Sequence, residues 1–239
     1  WIDCELAVEP RYGPLPATSV NFTTSDAKLQ ALFDHAEVCE AHNTLTLGPG
    51  FDVVVEGGHY NAVWLETQPM GGAMYGVRNL TLALNNQLIF LRTQRSDGRL
   101  AGMVTPLKNA SMFPAGAGVV RPTYSYPGDA QHSMLQGFYM ASPAVDVAWL
   151  MNRTDDAEAT RNVAAYIAEL KRGLERFEAW LWRARNSSHG VLWLNDTADT
   201  GEDGSDKFRG MTPPFESMDM MGYAHDAQRA LARIAAIEG

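Results

Sequence analysis

Six apolar residues, Val163, Ile167, Leu170, Leu174, Phe177 and Leu181, step along the chain by 4-3-4-3-4. Only an α-helix gathers positions so spaced into one stripe. The surrounding stretch, "TDDAEATRNVAAYIAELKRGLERFEAWLWRAR", holds no proline that would end the helix. The fold must therefore house a helix of about eight turns and bury one long side of it.

Further helices follow from the same periodicity. "TSDAKLQALFDHAEVCEAHN" opens on a Ser/Asp cap and carries Leu29, Leu32, Phe33, Ala36 and Cys39 at helical spacing. Leu80, Leu84, Leu88 and Leu91 predict a helix over 78–94, stopped by "SDGR". The stretch 129–152 reads as helical, with a kink before Pro143. From Met218 onward a last helix presents Tyr223, Ala227, Leu231, Ile234 and Ile237. Between them, "GPGFDVVVEGG" is a glycine-bounded loop with room for a short strand, and 96–128 reads as loop. No strand ladder stands out, so the expected class is all-α, built of helical hairpins. Residues 1–24, with Pro10, Pro14 and Pro16, form an irregular lead-in, and 25–239 form the folded domain.

Composition narrows the partners. The chain has 239 residues, ample to bury a core, with 46% hydrophobic and 20% charged residues. A net charge of −9 and the lack of a basic run argue against nucleic acid and anionic membrane as partners. No apolar run is long enough to span a bilayer. The two cysteines, Cys4 and Cys39, either pair or remain thiols, and they make no zinc framework. Sequons at Asn21, Asn79, Asn109, Asn152, Asn186 and Asn195 exceed the one or two that chance gives for 11 asparagines, and point weakly to a secretory protein.

The chemistry concentrates in "TADTGEDGSDKF", where Asp199, Glu202, Asp203 and Asp206 lie within eight residues. An EF-hand loop begun at Asp199 fails, because Gly201 and Gly210 occupy positions that need ligands. A solvated acidic turn and a non-EF calcium loop are two readings. The third is glycosidic chemistry, in which one carboxylic acid protonates the leaving oxygen and a second carboxylate activates water or attacks the sugar. Crowded carboxylates raise one another's pKa, which keeps one of them protonated. Trp64, Glu66, Gln68, Asn85, Asn86, Gln131 and Trp193 supply the aromatic platforms and two-way hydrogen-bonding groups that sugars need.

The E-x-G-x-D of "GEDGSDKF" resembles the E-S-G-x-D segment of trehalases and of the related processing α-glucosidases, inverting glycosidases with an (α/α)6 barrel of six helical hairpins. The resemblance extends over roughly residues 50–239. It implies Asp206 as general acid, with Glu202 at the leading glutamate and Asp203 helping to shape the loop. "VWLETQPMGG" is similar to a W-D pair that holds the −1 sugar, here Trp64 and Glu66 separated by Leu65, with Gln68 close behind. "NNQLIF" and "DAQHSM" resemble sugar-binding segments and nominate Asn86 and Gln131, while Arg121 is the only candidate for a substrate-clamping arginine. The resemblance implies an (α/α)6 toroid, of which these residues make about the N-terminal half. The rest of the barrel, including the general base, would lie outside them, and these residues alone are expected to be inactive. The expected substrate is an α-linked neutral glucoside or mannoside, with no metal and no cofactor. The competing expectation is a non-catalytic all-α module that binds glycan or protein.

Overall fold

The computed structural model describes residues 6–8, 22–48, 51–56, 62–67, 79–106, 118–124, 157–195, 199 and 206–238. Their element order is β1 (Leu6–Val8), α1 (Ala27–Asn43), β2 (Thr44–Gly48), β3 (Phe51–Val54), β4 (Val63–Trp64), α2 (Leu80–Arg92), β5 (Met103–Pro106), β6 (Gly118–Thr123), α3 (Ala157–Ala184), β7 (Trp193–Leu194), a 3-10 turn (Asp206–Phe208), β8 (Phe215–Glu216) and α4 (Met218–Glu238). The helix expected over 129–152 lies outside the described residues.

The all-α expectation is corrected. Among the described residues the chain builds a four-stranded antiparallel sheet in the order β1-β6-β5-β4 and two two-stranded antiparallel sheets, β2-β3 and β7-β8. The fold is mixed rather than a plain helical toroid. β1, β4, β7 and β8 span only two or three residues, too few for alternation to register. β5 and β6 fall in the stretch read as loop, and β1 in the irregular lead-in.

The seam of α3 is as its spacing demands. Ile167, Leu170, Leu174, Phe177 and Leu181 are all buried. They face two helices, since α3 packs on both α2 and α4. Gly173 makes the approach to α2 possible: a Cβ there would lie 2.5 Å from Leu91 Cδ2. On α4 the buried line is Met220, Ala224, Ala227, Ala230 and Ile234. It is rotated from the predicted stripe, and Tyr223 and Leu231 flank it as partly buried neighbours. Three alanines in that line let α4 lie close against α3.

α2 is the centre of the fold. Every residue from Leu82 to Phe90 is at most 3% exposed, including Asn85, Asn86 and Gln87. A helix dry on all sides is an interior helix, and this one lies between the β2-β3 hairpin and α3. The contact with the hairpin is polar. Asp52 and Val54 point their backbone groups away from β2, toward α2. Asn85 Nδ2 donates to Asp52 O at 3.0 Å, and the Asn86 amide both accepts from Val54 N (2.8 Å) and donates to Val54 O (2.9 Å). Two consecutive asparagines thus replace a third strand and satisfy a buried sheet edge.

α1 forms as its cap predicts, with Asp26 Oδ1 accepting from Lys28 N and Leu29 N. Its apolar stripe, however, is not buried by the described residues: Leu29 is 50% exposed and Leu32 66%.

Candidate functional site

The four-stranded sheet has two faces of opposite character. Val63, Val104, Val120 and Pro122 alternate onto the core side and are buried. Their neighbours in the chain turn the other way. The register pairs Trp64 with Met103, Met103 with Thr123, and Thr105 with Arg121. Directly paired residues share a face, so Trp64, Met103, Thr105, Arg121 and Thr123 line the accessible side. All are half-buried except Arg121, which is exposed.

Leu65 continues the pairing beyond β4, its N–H donating to Gly102 O at 2.9 Å, and its side chain is fully buried. The leucine that separates Trp64 from Glu66 is therefore a core residue. Its inward turn leaves the indole and the carboxylate half-buried on either side of it. The structure thus brings together Trp64, Glu66 and Arg121, nominated from two separate places in the sequence, on or beside one sheet face. Thr105 and Thr123 share that face and were not singled out by sequence. Their signal was the strand alternation of β5 and β6.

Asn86 stands elsewhere. Both of its amide atoms are bonded to the Val54 backbone in the core, so its amide serves the fold. Asn85 is likewise tied to β3. Trp193 carries the Arg185 guanidinium over its ring at 4.3 Å. Gln68, Gln131, Glu202 and Asp203 lie outside the described residues.

The two described carboxylates of the acidic loop differ. Asp199 is fully buried and accepts the Asn195 N–H at 2.5 Å, so it fastens the loop. Asp206 opens the 3-10 turn with its side chain 79% exposed, 3.4 Å from the equally exposed Arg209. A pair so exposed contributes little to stability. At the end of the turn, Phe208 stacks on Phe215 with centroids 4.6 Å apart, which anchors the loop's end to β8. Among the described residues no three His, Cys, Asp or Glu side chains converge as a metal site, and no helix is long and apolar enough to cross a membrane.

Comparison of the chain with family models, curated proteins and solved structures gave no match.

Proposed function

We propose that this chain belongs to a glycoside hydrolase acting on an α-linked neutral sugar, and that the outer face of the four-stranded sheet receives that sugar. The observation that carries the reading is the pairing of Trp64 with Glu66 around the buried Leu65. An indole offers the flat apolar surface that a pyranose ring stacks on. A neighbouring carboxylate accepts hydrogen bonds from two hydroxyls at once. Thr105, Thr123 and Arg121 add donors on the same face.

In this reading Asp206 protonates the leaving oxygen while water attacks the opposite side of the sugar, inverting the anomeric centre. Glu202 and Asp203 tune the acid. An acid that acts at a glycosidic bond works where bulk water is excluded. Substrate or further protein must therefore cover the exposed Asp206 side chain before it can act. The general base is left unassigned.

A second reading, a glycan-binding module without turnover, is favoured by that same exposure of Asp206. Hydrolysis of α-glucosides and α-mannosides by the full-length protein separates the two. Under the hydrolase reading Asp206→Asn abolishes turnover, by 10³-fold or more given that general acid catalysis alone supplies about 10²–10⁴, and leaves sugar binding in place. Turnover that survives the substitution would overturn the role of Asp206.

A further inference from the structure

The chain carries nine more acidic than basic residues, yet its arginines gather where α2 ends against α3. A cleft of about 270 Å³ opens there, lined by Leu91, Arg92, Gln94, Glu169, Arg172, Gly173 and Arg176. Three arginines and one glutamate line a single small space, with the Arg92 guanidinium 4.9 Å over the Phe51 ring. Glu169 is committed to Arg92, Oε1 to Nε at 3.4 Å, with both side chains nearly buried. Arg176 donates to carbonyl oxygens, Arg95 O at 2.8 Å and Ser96 O at 3.5 Å, and so keeps its full charge. Arg172 is exposed and makes no hydrogen bond or ion pair with any described residue.

The floor of the cleft is built and rigid. Gln94 Nε2 donates to Gly98 O at 2.7 Å and to Gly173 O at 2.9 Å, tying the 95–99 turn to α3. Those two bonds fix which way the amide points. They leave Gln94 Oε1 buried with no donor to satisfy it. A buried acceptor without a partner is unfavourable, and a bound group with an O–H would satisfy it.

We infer that this cleft binds a phosphate group that retains a proton. The phosphoryl oxygens accept from Arg172, Arg176 and Arg92, because planar guanidinium forks suit phosphate. The P–OH donates to Gln94 Oε1. Inorganic phosphate at neutral pH always carries such a proton, and a phosphate monoester carries one part of the time, its second pKa being about 6. Sulfate at the same pH carries none. The cleft therefore distinguishes two anions of the same shape and charge. This inference stands apart from the sugar site and does not depend on it.

The test is calorimetric titration of the purified chain with inorganic phosphate, glucose 6-phosphate, sulfate and chloride at matched ionic strength and neutral pH. Phosphate is expected to bind saturably and at least 5-fold tighter than sulfate, by roughly the worth of one hydrogen bond. Arg172→Gln, which removes an exposed and unbonded side chain, should weaken phosphate binding by about 10-fold, as expected for one charge-assisted contact. Arg233→Gln, an exposed arginine of α4 outside the cleft lining, should change nothing. Tighter binding of glucose 6-phosphate than of inorganic phosphate would assign the site to an ester, and the reverse order to the free ion. Equal responses to phosphate, sulfate and chloride, or an Arg172→Gln protein that matches Arg233→Gln, would overturn the inference.

Discussion

Replacing Asn86 by alanine tests whether that amide serves the fold or the substrate. The side chain is 0% exposed and bridges the N–H and C=O of Val54, itself 3% exposed. Truncation strands both backbone groups with no water at hand. A buried donor or acceptor left unpaired costs about 1–3 kcal/mol, with the carbonyl the more tolerant of the two. Adding the small cavity, the loss comes to about 3–5 kcal/mol, a third or more of the stability of an ordinary domain. Asn85→Ala removes the bond to Asp52 O and should cost about 1–2 kcal/mol. Asn86→Asp keeps the acceptor for Val54 N–H but sets a carboxylate against Val54 C=O, so it should be no milder than alanine. Urea titration followed by circular dichroism measures all three. A loss below about 1 kcal/mol for Asn86→Ala, or lost sugar binding at unchanged stability, would refute the argument and return Asn86 to the binding site.

Further outcomes follow from local geometry. Gly98 sits at φ +101° and a Cβ there would lie 2.3 Å from Arg176 O, so Gly98→Ala should cost about 3–5 kcal/mol from left-handed strain and a backbone clash together, read from the same titration. The Glu216 carboxyl is held below its ordinary value of 4.5 by hydrogen bonds from Ser187 and from His189, the latter at 2.8 Å. A lowered acid favours the folded state above its unfolded value, and that benefit disappears as pH falls through the folded one. Melting temperature should therefore drop more steeply below pH 4.5 in the wild type than in Glu216→Gln. Of the sequon asparagines, Asn186 is exposed beside the 187–190 turn, whereas the Asn79 side chain caps α2 by accepting from Leu82 N at 3.0 Å. In a eukaryotic secretory host, mass spectrometry of glycopeptides should find a glycan on Asn186 that disappears in Ser188→Ala.

Helices were legible in the sequence from apolar spacing and caps, α1 included, although the described residues leave its stripe open. The α3 seam reads directly because each step in the sequence is a turn of helix, and Ile167 through Leu181 are buried as spaced. α2 was legible as a helix but not as an interior one. Its "NNQ" resembles a polar surface until β3 is seen to lay its unpaired edge against Asn85 and Asn86. The short strand allowed for in "GPGFDVVVEGG" is β3, but the four-stranded sheet was not legible, since pairs such as Val63 with Val104 join residues 41 apart and leave no local pattern. The same holds for the site. Trp64 and Glu66 were chosen for their chemistry, but the role of Leu65 between them is settled by Gly102, far along the chain. The arginine cleft was hidden for the same reason, being assembled from the end of α2 and the middle of α3. Asp206 shows the opposite limit: its segment suggested a general acid, and the exposure of its side chain follows from surroundings that no motif encodes.

The most direct measurement is saturation-transfer NMR of the purified chain with maltose and α-linked mannobiose, run in parallel on wild type, Trp64→Ala and Glu66→Gln. The account predicts transfer to the ring protons of one sugar unit in the wild type, a loss of about 10-fold or more in affinity for Trp64→Ala, as expected when a stacking platform worth about 1–3 kcal/mol is removed, and a clear weakening for Glu66→Gln. Binding that is equal in all three proteins, or no transfer from the wild type to any neutral sugar, would contradict it.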